Sequence, residues 1–524
     1  MNRTEAAATG PAGEEPPAPH RVIETHISRV LLAGPWAYKV KKPLKLSFLD
    51  FSTVQRRRHF CEEEWRINRR TAPELYVDVL PLSVPWHVFE ADPEAALAQS
   101  RADRALDWVV RMRRFDAGAL LAERWARGEL TPGLIDRLAA HVAAFHGALP
   151  PVPADAPPAK PTPLWVRDSL NAIRQHPGRP AAVSTDRVDA VGERLLGEFS
   201  GLQDWMAARH AQGWVRECHG DLHLGNLIEW QGRVMAFDAI EFDADLRRID
   251  VINDAAFTFM DLFAHDEPAL AWRFVSGYLD GTGDHDGLRG LRPYAAYRAL
   301  VRAHVALLGS GGAEAFGRYW RCLETLVEPP PAPGLWLMMG VSGSGKSTVA
   351  GLLRDALAAH GRPVVRVRSD VERKRLLGVA PTARPTPAQA AHWYSADLTR
   401  QTYDRLMAAA QSAWAAGCSV VLDAASLRRA ERLQMRTLAA TAGVPFHLWV
   451  CHAPQALMAE RLVERERHGS DPSDAGLAVM ERQRAWMEPV TADEKAEARL
   501  LHNEGDLAAL DAQVQALLRQ DLGG

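Results

Sequence analysis

Cysteine is scarce in this sequence, and the few cysteines present are scattered. The chain has five among 524 residues, and their spacing fits neither a disulfide framework nor a metal-binding motif. We therefore expect free thiols and a reducing, cytoplasmic location. Long apolar runs are also missing, because no stretch approaches the ~20 residues that a membrane-spanning helix needs. The first residues lack the basic start and apolar core of a signal peptide.

A charge excess of either sign is missing as well. The 62 basic and 65 acidic residues leave a net charge of −3, which argues against a general nucleic-acid binder. Apolar content of 47% and charged content of 24% are typical of a soluble globular protein. The length is too great for one core and suggests about three packing units. Residues 1–20, rich in Ala, Gly, Glu and Pro, are predicted to form a disordered tail.

The first motif with chemical meaning lies at 219–226, His-Gly-Asp-Leu-His-Leu-Gly-Asn, from which an apolar run leads to Asp238. This spacing suits a metal-assisted phosphoryl transfer. Asp221 would lie on a loop and accept a proton from an attacking hydroxyl, or orient that hydroxyl. Asn226 and Asp238 would hold Mg²⁺ on ATP phosphates, because Mg²⁺ prefers oxygen ligands. The competing interpretation is a chance motif, and the paired spacing argues against it.

These residues resemble the catalytic segment of the aminoglycoside phosphotransferase/choline kinase family, which is related to protein kinases. The resemblance implies that Asp221 is the catalytic base and that Asn226 and Asp238 bind metal. It also implies that His219 holds the loop in shape. The segment 237–243, Phe-Asp-Ala-Ile-Glu-Phe-Asp, stands where protein kinases carry Asp-Phe-Gly. Because that glycine is absent, no activation-loop switch is inferred.

A kinase of this type also needs a strand lysine on the ATP phosphates and a helix glutamate that positions the lysine. Residues 30–41 predict an antiparallel hairpin, in which period-two alternation places Lys39 and Lys41 on one face. Lys39 is preferred, because Ala-Tyr-Lys resembles the third strand of kinases. Lys41 shares its face and remains the alternative.

The helix predicted over 53–70 supplies three candidate partners for this lysine, Glu62, Glu63 and Glu64. Glu64 is favoured, although a solvated charged helix face explains any one of the three equally well. No Gly-x-Gly-x-x-Gly loop covers the phosphates in this part of the sequence. Aminoglycoside phosphotransferases often lack that loop, so the resemblance stands while the element that covers the nucleotide is not identified.

A second motif follows a proline-rich linker at 328–334. The strand predicted at 335–339 leads into Gly-Val-Ser-Gly-Ser-Gly-Lys-Ser-Thr, a complete Gly-x-x-x-x-Gly-Lys-Ser. Its glycines let backbone N–H groups surround a β-phosphate, and the following helix adds its dipole. Lys346 would reach the β/γ oxygens, and Ser347 would reach Mg²⁺. The residues predicted to bind the nucleotide are Gly340, Ser342, Gly343, Ser344, Gly345, Lys346, Ser347 and Thr348.

Strands predicted near 364, 420 and 446 alternate with helices after this motif, which indicates a parallel sheet with ligands at its carboxyl edge. Asp423 ends one of these strands in the Walker B position, where it would support Mg²⁺ or substrate.

This half of the chain resembles P-loop kinases that phosphorylate small molecules or polynucleotide ends, such as the gluconate-kinase-like and zeta-toxin-like proteins. The resemblance implies that Asp370 contacts the substrate hydroxyl. It further implies that Arg461 and Arg465 of a lid helix grip phosphates and that the lid includes 469–474. For Arg465, pairing with a neighbouring helix glutamate is the structural alternative.

The two halves together resemble bacterial proteins that fuse an aminoglycoside-phosphotransferase-like kinase to a P-loop kinase. The expected fold class is α/β and α+β: a bilobal protein-kinase-like domain at 21–327 (N-lobe 21–112, C-lobe 113–327) and a parallel-sheet P-loop domain at 335–524. Two ATP·Mg²⁺ sites would each move a γ-phosphate onto a small-molecule hydroxyl. In the alternatives, one module is a silent ATP-binding regulator, or the C-terminal module phosphorylates polynucleotide ends.

Overall fold

The structure is a computed structural model that describes residues 20–46, 49–153, 155–156, 159–309, 312–468 and 472–523. All but the last residue of the predicted tail 1–20 lies outside these described residues, and so do residues 469–471 of the predicted lid. Among the described helices, none combines the length and the apolar composition that crossing a membrane would require.

The described residues pack into two compact units. The first comprises those of Met1–Ala119 together with Ala236–Ala244, and the second comprises those of Leu120–Met235 and Asp245–Gly524. The predicted linker at 328–334 therefore lies within the second unit. This unit contains the helical region that carries the first motif, and it also contains the P-loop part of the chain.

The first unit is an antiparallel sheet with one long helix. Its strands and helices are β1 (Arg21–Glu24), β2 (Ser28–Ala33), β3 (Trp36–Lys41), β4 (Lys45–Leu46), β5 (Leu49–Asp50), α1 (Val54–Asn68), β6 (Tyr76–Leu82), α2 (Trp86–Ala91), α3 (Pro93–Ala98) and β7 (Asp107–Arg113). The five-stranded sheet has the order β1-β2-β3-β7-β6. The predicted hairpin is β2-β3, in which Val30 pairs with Lys39.

Side chains along β3 point alternately to the two faces of this sheet, so the two faces have different surroundings. Tyr38 and Val40 point into an apolar cluster with Leu31, Phe89 and Val109. The intervening lysines of β3 therefore point to the opposite face. Helix α1 packs against β6 and β7. The helix starts at a threonine N-cap, whose hydroxyl accepts a hydrogen bond from a backbone N–H of the first turn at 3.2 Å.

The second unit begins with a helical region that carries the loop of the first motif. Its elements are α4 (Leu121–Ala126), α5 (Pro132–Ala148), α6 (Thr162–Gln175), α7 (Thr185–Gly201), α8 (Gln203–Ala211), β8 (Val215–Glu217), β9 (Leu227–Trp230), β10 (Arg233–Ala236), β11 (Arg248–Asp250), α9 (Val251–Ala264), α10 (Pro268–Thr282), α11 (Leu288–Leu308) and α12 (Ala313–Val327). The loop 218–226 connects β8, which pairs with β11, to β9, which pairs with β10. Helix α9 is buried along almost its whole length and lies beneath this loop.

The P-loop part is an α/β layer structure. Its elements are β12 (Leu335–Met339), α13 (Lys346–Ala359), β13 (Val364–Arg368), α14 (Ser369–Leu376), α15 (Pro387–Trp393), α16 (Ala396–Ala415), β14 (Ser419–Asp423), α17 (Arg429–Thr441), β15 (Phe446–His452), α18 (Gln455–His468), α19 (Leu477–Trp486), β16 (Ala498–His502) and α20 (Leu507–Asp521). The five strands are all parallel, in the order β13-β14-β12-β15-β16. Their carboxyl ends form one edge, where parallel sheets bind ligands.

The helical region and the P-loop part are in direct contact within the second unit. Helix α10 packs against α13 and β13. The hydroxyl of Ser276 on α10 accepts a hydrogen bond from the backbone N–H of Arg366 at 3.2 Å. The predicted combination of α+β and α/β architectures is confirmed.

Candidate phosphotransfer sites

The first unit holds a buried cluster of lysines and glutamates between β3 and α1. Lys39 Nζ lies 2.8 Å from Glu64 Oε1, and Lys41 Nζ lies 2.7 Å from Glu64 Oε2. The sequence left two lysines as alternatives, and the structure brings both to one carboxylate. Glu62 and Glu63 instead form ion pairs on the exposed face of α1, with Arg58 and Arg66 respectively.

The segment after β10 joins the same cluster. Lys39 Nζ lies 2.5 Å from Asp238 Oδ1, and Lys41 forms an ion pair with Glu241. The side chain of Lys41 is fully buried, whereas that of Asp238 is 41% exposed. Lys39 therefore faces the accessible carboxylate, and Lys41 faces the interior. Sequence inspection missed Glu241, because the residue pairs with a lysine 200 positions earlier in the chain.

Asp238 adopts a backbone conformation that non-glycine residues seldom use. Its φ is +60°, in the left-handed region. The backbone N–H of Asp238 donates to the hydroxyl of Tyr76 at 3.1 Å, and the next N–H donates to Asn68 Oδ1 at 2.9 Å. Such strain persists where surrounding contacts hold it, and it is concentrated at functional sites. The contacts aim the carboxylate of Asp238 toward Lys39.

Charge compensation dominates the electrostatics of this cluster. Burial alone would lower the pKa of Lys39, but Asp238 and Glu64 outweigh it and raise the pKa well above its usual value. Burial would likewise raise the pKa of Glu64, and the two ammonium groups bring this pKa down to about 2. Glu241 shows the opposite result: burial raises its pKa despite the attraction of Lys41. Lys39, Lys41 and Glu64 are thus all charged at neutral pH.

The loop 218–226 in the second unit brings Asp221 and Asn226 together. Asn226 Nδ2 donates to Asp221 Oδ2 at 2.8 Å and to the Asp221 carbonyl at 3.0 Å. His223 Nε2 lies 3.3 Å from the same carboxylate oxygen. The backbone N–H of Asp221 donates to His219 Nδ1 at 3.3 Å, so His219 shapes the turn as predicted. The Asp221 carboxylate is thereby held in one orientation.

Buried carboxylates of α9 fix the backbone of this loop. Asp254 accepts hydrogen bonds from the backbone N–H groups of His219 and Gly220 at 3.0 and 2.8 Å, so this aspartate has a structural role. His146 Nε2 lies 3.1 Å from Asp254, and its Nδ1 lies 3.0 Å from the hydroxyl of Tyr278 on α10. The loop therefore rests on a hydrogen-bonded chain that reaches α10.

Positive groups around Asp221 keep its carboxylate ionised. Burial would raise the pKa of Asp221, but His223, Arg302 and His219 outweigh it and hold the pKa below the usual range. Arg302 also lies 3.3 Å from His223 Nε2. His223 and Arg302 were not identified from the sequence, although the histidine stands within the motif. An ionised Asp221 can accept a proton.

The second motif forms a phosphate-binding loop at the carboxyl edge of the parallel sheet. Gly340, Gly343 and Gly345 have φ values of +152°, +84° and +87°. A Cβ at Gly345 would come within 1.9 Å of the side chain of Asn503, so only glycine fits there. Lys346 Nζ donates to the Val341 carbonyl at 2.9 Å.

Ser347 and Asp423 meet directly beside this loop. Ser347 Oγ donates to Asp423 Oδ1 at 3.2 Å, while Asp423 Oδ2 is buried and lacks a hydrogen-bond partner among the described residues. Arg368 Nε lies 3.8 Å from that second oxygen. Burial lowers the pKa of Lys346, and the carboxylates of Asp423 and Asp370 oppose this fall. A hydroxyl and a carboxylate with a spare buried oxygen match the donor set that Mg²⁺ binds.

Side chains from outside the motif complete the loop. Asn503 Nδ2 donates to the Ser344 carbonyl at 3.0 Å, and Gln483 Oε1 accepts from the backbone N–H of Ser342 at 2.7 Å. Arg461 donates to Asn503 Oδ1 at 3.1 Å, and its Nη1 has no hydrogen-bond partner within the described part of the chain. Asn503 and Gln483 carried no sequence signal. Thr348 occupies the first turn of α13.

A polar cluster surrounds Asp370 at the start of α14. The guanidinium of Arg373 lies 4.9 Å from the ring centre of Tyr394, whose hydroxyl bonds Asp474. Burial raises the pKa of Tyr394, and the charge of Asp370 adds to the rise. Arg465 donates to the carbonyl of Ala475, which directly follows the predicted lid segment 469–474.

Known proteins match either one part of this chain or most of its length. The family described as "AAA domain" (AAA_33) matches residues 335–490. The uncharacterized proteins Rv2004c of Mycobacterium tuberculosis and Mb2027c of Mycobacterium bovis are each 30% identical to this chain over 474 residues. The match covers 89% of this chain and 90% of each relative.

Solved structures match parts of the chain. A choline/ethanolamine kinase family protein from Mesorhizobium loti is 16% identical, with 60% of this chain and 89% of that chain covered and a TM-score of 0.37. A glucosamine kinase in complex with glucosamine, ADP and inorganic phosphate is 16% identical, with 59% and 76% covered and a TM-score of 0.35. The APS kinase CysC of Mycobacterium tuberculosis is 22% identical, with 37% and 100% covered and a TM-score of 0.28.

Proposed function

We propose that this chain, which belongs to the family of the mycobacterial proteins Rv2004c and Mb2027c, is an ATP-dependent phosphotransferase with two kinase modules, one aminoglycoside-phosphotransferase-like and one of the P-loop type. Each module transfers the γ-phosphate of ATP to a hydroxyl of a small molecule. The observation that carries the proposal is the pairing of Ser347 with Asp423 beside Lys346, in a loop whose glycines have left-handed backbones.

In the P-loop module, the acceptor hydroxyl attacks the γ-phosphorus, and the bond from that phosphorus to the β–γ bridging oxygen breaks. Asp370 orients the hydroxyl and receives its proton, and ADP leaves. Lys346 moves from the Val341 carbonyl to the β/γ oxygens, which neutralises charge in the transition state. Ser347 and Asp423 would hold Mg²⁺, which supplies further charge neutralisation on the phosphates. Arg461 and Arg465 would bind phosphate oxygens from the lid helix.

In the first module, Asp221 receives the proton of the acceptor hydroxyl. Lys39, which Glu64 positions, binds ATP phosphates. Asn226 and Asp238 would hold Mg²⁺. These roles follow from the order of the family motif along the chain, and the geometry within each compact unit supports them: Asp221 is ionised and fixed by Asn226, and Asp238 lies beside Lys39. The low pKa of Asp221 keeps its carboxylate charged, which suits a group that orients the acceptor hydroxyl.

A metabolite extract incubated with ATP and Mg²⁺ tests the proposal. The full-length protein should add the mass of one phosphate to at least one metabolite, as followed by mass spectrometry. Asp221→Asn should remove products of the first module, and Lys346→Ala should remove those of the second. Lys495→Ala is the matched control for the lysine variant, because Lys495 is an exposed lysine in the same part of the chain. Product formation that survives both active-site changes would contradict the proposal.

A specific observation favours a second candidate, in which the first module binds ATP without turnover and regulates the second. In protein kinases the loop between the first two strands covers the phosphates. Here that connection is residues 25–27, Thr-His-Ile, with no glycine. Full turnover in Asp221→Ala together with its loss in Lys346→Ala would support this candidate.

Two further features of the proposal concern location and partners. We place the enzyme in the cytosol, because all five cysteines are buried free thiols, which a reducing compartment preserves. The acceptor is a small molecule rather than a nucleic acid, because the net charge of −3 gives no general attraction to a polyanion. Phosphorylation of oligonucleotide 5′ ends by the P-loop module would contradict the second statement.

A further inference from the structure

The carboxyl ends of β15 and β16 bring two histidines together at the edge of the parallel sheet. His452 and His502 are direct neighbours in the parallel register, and their ring centres lie 5.7 Å apart. The backbone at this point is well fixed. The N–H of Asn503 donates to the His452 carbonyl at 2.8 Å, and the side chain of Gln513 bonds both the N–H and the carbonyl of His502.

A carboxylate completes the group. Glu504 stands two residues beyond His502, and its Oε1 lies 3.9 Å from His502 Nδ1. One ligand atom from each of His452, His502 and Glu504 lies within 4.8 Å of the other two. A tetrahedral zinc site with ligand bonds of about 2.0–2.1 Å separates its ligand atoms by about 3.3 Å. All three side chains are exposed, so rotation about their χ angles can shorten the distances between the ligand atoms to this value without a backbone shift.

We propose that His452, His502 and Glu504 form a binding site for a divalent transition metal, with Zn²⁺ the preferred ion. Two imidazoles and one carboxylate are the protein ligands of a known zinc site type, in which water occupies the fourth position. Imidazole ligands favour Zn²⁺, Cu²⁺, Ni²⁺ or Fe²⁺ over Mg²⁺, which prefers oxygen. The proposed site is therefore chemically distinct from the Ser347–Asp423 pair of the phosphate-binding loop.

The position of this His-His-Glu site gives it a consequence for the neighbouring loop. Asn503 lies between two of the proposed ligands, and its side chain bonds the Ser344 carbonyl and Arg461. A metal held by His502 and Glu504 would restrain residues 502–504 and thereby the loop that Asn503 supports. We expect nucleotide to bind more tightly when the site is filled; this expectation alone rests on the proposed function, whereas the metal site does not.

Zinc titration of the full-length protein, freed of metal by a chelator and monitored by calorimetry without nucleotide, tests the site. We expect one Zn²⁺ per chain to be lost in the His452→Ala/His502→Ala double variant, with affinity reduced at least about tenfold in each single variant, since each loses one of three ligands. Substituted Co²⁺ should show the visible absorption bands of four-coordinate cobalt. His360→Ala is the matched control, because His360 is an exposed histidine of the same domain whose ring bonds the Ala356 carbonyl.

The outcomes separate clearly. Equal zinc stoichiometry and affinity in the double variant and the wild type would overturn the site, because the metal would then bind elsewhere. Circular dichroism of the metal-free variants checks that they fold, so a loss of zinc binding cannot come from unfolding. In a second titration, a non-hydrolysable ATP analogue should bind several-fold more tightly to the wild type with Zn²⁺ than without it. The same titration with His502→Ala should show no effect of Zn²⁺, and an unchanged wild-type affinity would overturn the link to Asn503.

Discussion

The ammonium of Lys41 lies 2.7 Å from the carboxylate of Glu64, at a place where neither side chain reaches solvent. Glu64 has a second lysine partner, Lys39, whose side chain is 10% exposed and which also contacts Asp238. The two lysines of β3 therefore have different surroundings although they share one face and one glutamate. Lys39 is the partly exposed lysine, to which the proposed function assigns the nucleotide phosphates, and Lys41 ties the helix carboxylate to Glu241.

The first prediction separates these two lysines by stability. Lys41→Met should lower the free energy of unfolding of the first unit by about 3–5 kcal/mol, because it removes the fully buried cation that contacts both Glu64 and Glu241. Lys39→Met should cost clearly less, since Glu64 retains Lys41 and Asp238 is partly solvated, yet it should abolish turnover by the first module. Urea unfolding and the rate of product formation measure the two effects.

Glu62→Gln serves as the control for this comparison. It removes an exposed i,i+4 ion pair with Arg58, and such pairs contribute only about 0.3–0.5 kcal/mol. Equal losses of stability in Lys39→Met and Lys41→Met would contradict the division of roles.

The second prediction concerns acid. Burial would raise the pKa of Asp254, but His146 and His219 bring it to about 2, below its ordinary value of 3.8. A lowered carboxylate pKa stabilises the folded chain above the ordinary value, and this stability is lost as the pH falls from about 4 to about 2. Asp254 should account for about 2 kcal/mol of the acid loss.

Asp254→Asn should therefore be less stable than the wild type at neutral pH, and the difference should shrink as the pH falls through this range. Urea unfolding midpoints at a series of pH values provide the measurement. A constant difference between the two proteins at all pH values would show that the Asp254 carboxylate does not carry the effect.

The third prediction tests the carboxylate beside the phosphate-binding loop. Asp423→Asn keeps the side-chain shape and the contact with Ser347, but it removes the charge and one acceptor oxygen. We expect the rate of the P-loop module to fall about a hundredfold and its requirement for Mg²⁺ to rise. Rates measured over a range of Mg²⁺ concentrations give both quantities. Asp404→Asn, which changes an exposed carboxylate on α16, should behave as the wild type, and a similar loss there would remove the special role of Asp423.

The fourth prediction concerns the contact between α10 and the P-loop part. Arg375 donates to the carbonyls of Leu279 and Asp280 at 3.1 and 2.8 Å, at the C-terminal end of α10, where a helix attracts cations. Arg375→Ala should cost about 1.5–3 kcal/mol and should accelerate limited proteolysis near 328–334. Arg400→Ala is the control, since Arg400 is an exposed arginine on α16. Unchanged proteolysis in Arg375→Ala would mean that other contacts suffice.

Local motifs allowed more of the P-loop site than of the lysine cluster to be predicted. The strand, the glycines and Lys346 are adjacent in sequence, so one pattern specifies them together. The choice between Lys39 and Lys41 could not be made, because a period of two places both on one face. Glu241 and Asn503 act through contacts across more than 150 residues, which no local pattern contains. Strand β16 was missed because it is a short edge strand in which only Leu501 is buried.

The packing of α10 against α13 limits how this protein can be divided. Cutting the chain at 328–334 would separate α13, which begins at Lys346, from α10, the helix that packs against it. A fragment beginning at 335 would lack α10, so strand β13, which contacts Ser276, and the apolar side of α13 would be exposed to water. We expect such a fragment to aggregate. The two proposed kinase modules should therefore be inactivated one at a time by point substitution in the intact chain.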